Sequence, residues 1–287
     1  MLLPEITGRK LTFDFNLWKH MIRYAFPLMI AGFAGMINET FDRVLIPFLL
    51  TDKSDAMVQL GIYGACYKLS IIMTLFIQTF RYAAEPFFFS QSTGENPQVV
   101  YAHVMKLFVI VCSFIFLGVM LYLDVVKYLI GPDFRSGLGV VPILLMANLF
   151  LGVYYNLSVW YKLTSKTSWG AWLSVFGAAV TLLFNFLLIP ALGYLGAAWA
   201  TLICYGSMML LSYYAGQRNY PVPYDVRSFI FYLLAALVLW GAGSFLSMQF
   251  KLSGSISITV NTCLLLLFVL LVWAVERGKI NYLRRNN

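Results

Sequence analysis

Charge is scarce in this chain. Only 11% of its 287 residues are Asp, Glu, Lys or Arg, while 61% are hydrophobic and 17% aromatic; soluble domains carry about a quarter charged residues. So few ions cannot clothe a water-facing surface, which excludes a soluble globular protein and makes the chain a polytopic membrane protein. Histidine is limited to His20 and His103, both at predicted cytoplasmic edges. There is no phosphate loop, no metal-ligand spacing, no clustered acidic pair outside the apolar runs and no sizeable loop to expose catalytic groups, so the sequence predicts no enzyme. The four cysteines, Cys66, Cys112, Cys204 and Cys263, fall in four different apolar segments. They read as small buried hydrophobes, with neither disulfide nor metal spacing. The first twenty residues lack the apolar core of a signal peptide.

What the chain has is apolar length. The runs are continuous and mostly around twenty residues or longer, which predicts helices; a membrane β-barrel needs short alternating segments instead. Hydropathy places eight spans at Ile22–Leu50, Val58–Phe80, Leu107–Leu123, Gly137–Tyr161, Ser168–Pro190, Leu195–Gln217, Ser228–Phe250 and Ser255–Val275. The expected fold is thus an all-α integral membrane protein with eight transmembrane helices. The third span is the shortest, bounded by Lys106 and Asp124, and extends further if a charged head snorkels. No charge lies between Lys166 and Arg218, so the fifth and sixth spans form a tight hairpin around Pro190 to Tyr194.

The net charge of +8 does not point to nucleic acid, because the basic residues are spread through loops and no soluble domain exists to form a groove. Topology accounts for them. With a cytoplasmic N-terminus, the inside segments hold fourteen Lys and Arg residues, from Arg9 to Arg285, against five outside: Arg43, Lys53, Lys127, Arg135 and Lys251. Both termini are therefore expected to be cytoplasmic. Residues 1–20 form a moderately amphipathic arm through Leu11, Phe13, Phe15, Leu17 and Trp18, suited to the cytoplasmic membrane surface. Asn96-Pro97 is a helix start, and Phe80 to Gln91, which contains Pro86, reads as a helix end running into the interface.

The ionisable residues inside these runs are the candidate sites. Lys68 is the sole charge of the 23-residue stretch Val58–Phe80, about 15 Å from its start, close to mid-membrane. A charge at that depth marks a functional site, the alternative being a lysine that snorkels to the headgroups. In the first span, Glu39, Asp42 and Arg43 share one helix face, with Asn38 beside them. They read either as the polar wall of an internal cavity or as a self-neutralised cluster protruding at the outer interface. Gly32 and Gly35 lie near that face and permit close approach of another helix, and Pro27 loosens the helix near its cytoplasmic end. Tyr63 and Tyr67 recur at helical spacing with Lys68. Arg81 and Glu85 are an i, i+4 pair of opposite sign, and a cation there can attract a phosphate. Tyr154, Tyr155, Asn156 and Trp160 give the fourth span an aromatic end of the kind found in interfacial belts. Asn185 reads as a bond to a neighbouring helix.

Six segments together, in order along the chain, resemble the multidrug/oligosaccharidyl-lipid/polysaccharide exporter superfamily, and within it the polysaccharide or O-antigen flippase type. They are RYAFPLMIAGF at Arg23 to Phe33, the Asp42-Arg43 pair, GIYGACYKLS at Gly61 to Ser70, FRYAAEPFFFSQ at Phe80 to Gln91, WYKLTSKT at Trp160 to Thr167, and NFLLIPALGYLGAAWAT at Asn185 to Thr201. Members usually have two six-helix lobes, often followed by two extra helices. The resemblance therefore implies that residues 21–217 are a C-terminal six-helix lobe, 218–276 the two extra helices, 277–287 a basic tail, and 1–20 the remnant of an interlobe linker.

It further implies a multi-pass protein of the bacterial cytoplasmic membrane that flips a polyprenyl-diphosphate-linked oligosaccharide, as in lipopolysaccharide or O-antigen export. No cofactor is implied beyond an H+ or Na+ gradient, and the partners are the lipid-linked oligosaccharide, membrane lipids and a missing N-terminal lobe or partner chain. By this resemblance Arg43, Lys68 and Arg81 attract the diphosphate or acidic sugar. Glu39, Asp42 and Glu85 serve ion coupling or charge pairing, and Tyr63, Tyr67 and Tyr155 stack on sugar rings. Two alternatives stand beside this: a cation-coupled drug or metabolite antiporter of the same superfamily, and a truncated membrane subunit that does not transport alone.

Overall fold

The structure is a computed structural model that describes residues 13–250 and 254–286, with side chains as far as Gly278. Helix α1 runs from Phe15–Leu49. It starts where Asp14 turns its carboxylate onto the backbone N–H groups of Asn16 and Leu17, at 2.9 and 3.1 Å, which satisfies two of the donors that a helix start leaves open. Phe15 to His20, expected in a separate arm, are therefore the first turns of α1, while residues 1–12 lie outside the described residues. At 35 residues the helix is about 50 Å long, more than a bilayer core needs, and it passes through Pro27 and Pro47 without a break.

The stretch expected as one span over Val58–Phe80 is two helices, α2 (Lys53–Leu69) and α3 (Ile71–Gln91), bent by 54°. Ser70 makes the break. Its backbone N–H and its hydroxyl both bond the carbonyl of Tyr67, at 3.0 and 2.7 Å, and a serine that competes for a helix carbonyl in this way bends the chain. Helix α4 (Pro97–Leu121) begins at Asn96-Pro97 and takes in Lys106, so the third span is longer than its apolar run. A short helix α5 (Leu123–Val126) and two 3₁₀ segments, Lys127–Leu129 and Pro132–Val140, lead into α6 (Val141–Leu157) and α7 (Val159–Leu163).

Helices α8 (Ser168–Leu192) and α9 (Tyr194–Asn219) are joined by the single residue Gly193. Its φ of 58° and ψ of −137° suit a residue without a side chain. An added Cβ would also lie 2.1 Å from Oε1 of Gln59, the oxygen that accepts the N–H of Tyr194 at 3.1 Å. The expected hairpin is thus pinned to α2 by one glutamine. Helices α10 (Val226–Phe250) and α11 (Gly254–Asn286) complete the chain.

Among the described residues, seven helices are long and apolar enough to cross a membrane, or eight if the bent pair counts as one span. The bundle is all-helical, as the apolar run lengths require. Helices α4, α6 and α9 form its interior, around a core that includes Phe108, Phe116, Leu117, Leu144, Leu145 and Leu149. Helix α1 packs along α8, and α10 and α11 attach mainly through α4. Lys106 of α4 is held there by Glu276 of α11, whose other oxygen accepts the hydroxyl of Tyr232 at 2.7 Å. Cys66, Cys112 and Cys204 are buried, but Cys263 is exposed, contrary to the expectation for all four.

Candidate functional site

A cavity of about 380 Å³ opens among α1, α3, α6, α7, α8 and α9. Helix α1 lines it with Gly32, Gly35 and Glu39, α3 with Gln78, Arg81 and Glu85, α6 with Tyr154 and Tyr155, α7 with Lys162, and α9 with Tyr205 and Met208. Gln78, Arg81 and Glu85 recur at three and four residues, so one face of α3 turns all three inward. No neighbouring atom lies within 4 Å of a Cβ added at Gly32 or Gly35. These two glycines widen the cavity and do not seat a neighbouring helix, which corrects the sequence expectation. The close approach falls instead at Gly177, where an added Cβ would meet Met208 Sδ at 2.3 Å.

Glu85 is the centre of the charged wall. Its Oε1 accepts Nε of Arg81 at 3.2 Å and Nζ of Lys162 at 2.6 Å. The Arg81 guanidinium also lies over the ring of Tyr155, 4.6 Å from its centroid, an arrangement that fixes the cation by its attraction to the ring face. Helices α3, α6 and α7 are thereby tied together at one point. Tyr154 and Trp160 are buried and Tyr155 half-buried, so this aromatic end faces the interior and is not a lipid belt.

One turn of α1 divides the Glu39, Asp42 and Arg43 cluster. Glu39 lines the cavity, Asp42 is buried, and Arg43 is half-buried. Among the described residues no ion pair within 4.0 Å joins Arg43 to either carboxylate, so the cluster is not self-neutralised. Asp42 accepts the hydroxyl of Tyr63 and the backbone N–H of Arg43. The Arg43 guanidinium stacks on Tyr67, 3.9 Å from the ring centroid, and its Nε and Nη2 are buried without hydrogen-bond partners.

Several expected roles change. Tyr63 is fully buried, with its hydroxyl committed to Asp42, so it cannot stack on a sugar. The face of Tyr67 is already occupied by Arg43, which leaves Tyr155 as the one of the three tyrosines on the cavity wall. Neither Arg43 nor Lys68 lines this cavity: Lys68 sits on the last turn of α2, next to the break at Ser70, with its side chain exposed. Asn185 bonds the carbonyl of Thr181 on its own helix at 2.8 Å, not a neighbouring helix.

A polar seam between α1, α8 and α9 borders the cavity. Asn38 donates to the carbonyl of Ser174 at 3.4 Å and accepts from Thr181 at 3.3 Å, while Tyr205 donates to the Asn38 carbonyl at 3.4 Å. A buried amide needs such partners, so Asn38 acts as a tie between helices. Lys162, Tyr154 and Tyr205 were not singled out as cavity residues from the sequence. The signal for Lys162 was its place directly after the buried Trp160-Tyr161 pair, where a positive charge otherwise serves topology.

No family model matches the chain, and no curated protein does. Its fold nevertheless has a counterpart: the helical bundle is similar to that of a solved membrane-protein structure. The solved structure in question is that of the lipid II flippase MurJ in an inward closed conformation, with a TM-score of 0.59 and 15% sequence identity, covering 96% of this chain and 59% of that one. The chain thus spans less than two thirds of the length of the flippase it matches.

Proposed function

We propose that this chain is half of a lipid-linked oligosaccharide flippase, carrying one wall of the substrate cavity, with a polyprenyl-diphosphate-linked sugar as cargo. The observation that carries the reading is the convergence of Arg81 and Lys162 on one carboxylate in a cavity wall, within a bundle similar to that of a flippase. Two cations fixed inside a membrane protein need an anion, and a diphosphate offers more charge and more acceptor oxygens than any side chain. Arg43 lies outside the cavity lining, stacked on Tyr67; in this reading its two buried nitrogens without partners make it a further cation for an acidic sugar or phosphate once the second lobe is in place. Tyr155 lines the cavity beneath the Arg81 guanidinium, so in this reading a sugar would meet the part of the ring that Arg81 leaves uncovered.

A second six-helix lobe, supplied by the same polypeptide or another, would close the cavity and rock against this one. The exposure of Lys68 supports that arrangement. An ammonium at mid-span facing lipid is costly, whereas one facing a wet interlobe space is not. Glu39, Asp42 and Glu85 are the carboxylates through which an H+ or Na+ gradient would act, and both termini lie in the cytoplasm in this reading.

The test is replacement of Arg81 and Arg43 by alanine in the assembled transporter, followed by measurement of surface polysaccharide. Loss of export with normal protein levels is expected; unchanged export and polymer would refute the assignment. A second reading has one observation in its favour: the cavity wall holds two carboxylates, Glu39 and Glu85, beside its two cations. A cationic substrate would use the carboxylates, and efflux of a cationic drug by the assembled transporter would decide for it.

A further inference from the structure

Glu85 places a negative charge where an anionic substrate would have to bind. A single oxygen, Oε1, takes both cations, Arg81 at 3.2 Å and Lys162 at 2.6 Å. We propose that Glu85 is a displaceable counter-ion: it occupies the Arg81–Lys162 site in the empty transporter, and the anionic head of the substrate replaces it on binding. The inference rests on the flippase reading above and names the group that gates its anion site.

The burial of the three groups supports this division of roles. The Lys162 side chain is 12% exposed, while Glu85 and Arg81 are 36% and 38% exposed. The lysine is therefore the anchored partner, and the carboxylate sits at the cavity surface with room to swing away. Arg81 keeps its place without Glu85, because the ring of Tyr155 lies under its guanidinium. Lys162 follows the buried Trp160 and Tyr161 on one short helix, which fixes its origin as well. When the carboxylate leaves, two preplaced cations face the cavity with no new desolvation, and a diphosphate supplies an oxygen for each.

The exchange has a consequence for transport. A site of two bare cations would hold a diphosphate too firmly to release it, whereas a tethered carboxylate competes with the substrate at every encounter. Return of Glu85 then helps expel the anion, so the same residue weakens binding and speeds release. A purely structural ion pair that ties α3 to α7 predicts the opposite for its removal, namely a looser site and weaker binding.

The experiment measures binding of farnesyl diphosphate to the assembled transporter, this chain with its first lobe, in nanodiscs, with farnesol and inorganic pyrophosphate as separate arms that distinguish the lipid from the free anion. The wild-type chain is expected to bind the diphosphate lipid and to discriminate against farnesol. Glu85→Gln, which keeps the shape but loses the charge, is expected to bind it about tenfold more tightly, the equivalent of about 1.4 kcal/mol. Lys162→Met is expected to weaken binding by a similar factor. Glu85→Asp, whose shorter arm reaches the cations less well, is expected to tighten binding and serves if the glutamine variant does not fold. Selective binding of the diphosphate that Glu85→Gln and Glu85→Asp leave unchanged or weaken would overturn the displacement alone. Farnesol bound as tightly as its diphosphate, or no binding to any variant, would overturn the anionic substrate itself and the displacement with it.

Discussion

The Tyr63 hydroxyl donates its proton to the carboxylate of Asp42, joining α2 to α1 across two buried side chains. The carboxylate has a second donor in the Arg43 backbone N–H at 2.7 Å, which leaves the adjacent guanidinium free to stack on Tyr67. This one bond decides which way the charged turn of α1 divides. Asp42 is directed to the helix interface, and Glu39 to the cavity.

Tyr63→Phe is expected to lower stability by about 1–3 kcal/mol, the usual penalty for a buried polar group that loses a partner. Asp42→Ala should cost at least as much, because it removes the acceptor of the buried phenol and leaves a void, and Asp42→Asn should cost less, because its amide oxygen still accepts. Thermal unfolding in detergent gives the order. A Tyr63→Phe variant as stable as wild type would contradict the bond.

Gly193→Ala tests the hairpin. The backbone there has φ 58° and ψ −137°, a conformation whose strain with a side chain is about 1–3 kcal/mol. The new methyl would also displace Gln59 from the N–H of Tyr194. Gly64→Ala is the matched control, since nothing lies within 4 Å of its added Cβ. A marked fall in melting temperature is expected for Gly193→Ala and none for Gly64→Ala; equal behaviour of the two would refute the account of the turn.

Lys68 tests where water reaches the bundle. In a chain whose exposed Cys263 has been replaced by serine, Lys68→Cys in the assembled transporter is expected to react readily with a membrane-impermeant maleimide. Glu39→Cys, on the cavity wall, should do the same, while Leu75→Cys, exposed on the next helix, should stay unlabelled as a lipid-facing position. A Lys68→Cys as unreactive as Leu75→Cys would mean that the lysine snorkels along lipid and faces no wet space.

Much of the architecture was legible because long apolar runs have one stable outcome in a bilayer. The uncharged pair of spans between Lys166 and Arg218 became α8 and α9, and Asn96-Pro97 opened α4. The break at Ser70 was hidden, because an apolar run of spanning length gives no sign of a serine bonding back to Tyr67. Adjacent helical positions point about 100° apart, so whether Tyr67 or Lys68 faced inward depended on packing that no periodicity in so apolar a segment could fix. Arg81 and Glu85 were visible as an i, i+4 pair. Their third member, Lys162, was not, because 77 residues separate it from Glu85 and nothing local links the two. Glu39, Asp42 and Arg43 looked like one charged face for the same reason: the partner that turns Asp42 away is Tyr63, on another helix.

The most direct test of the central claim is translocation itself. Proteoliposomes would carry this chain together with a first lobe and a polyprenyl-diphosphate-linked sugar, with the headgroup exposed to a membrane-impermeant reagent on one side. The account predicts that headgroups cross the bilayer, and that Arg81→Ala combined with Lys162→Ala stops the crossing while leaving the protein folded. Headgroups that do not move with wild-type protein, or that move equally well without those two cations, would contradict it.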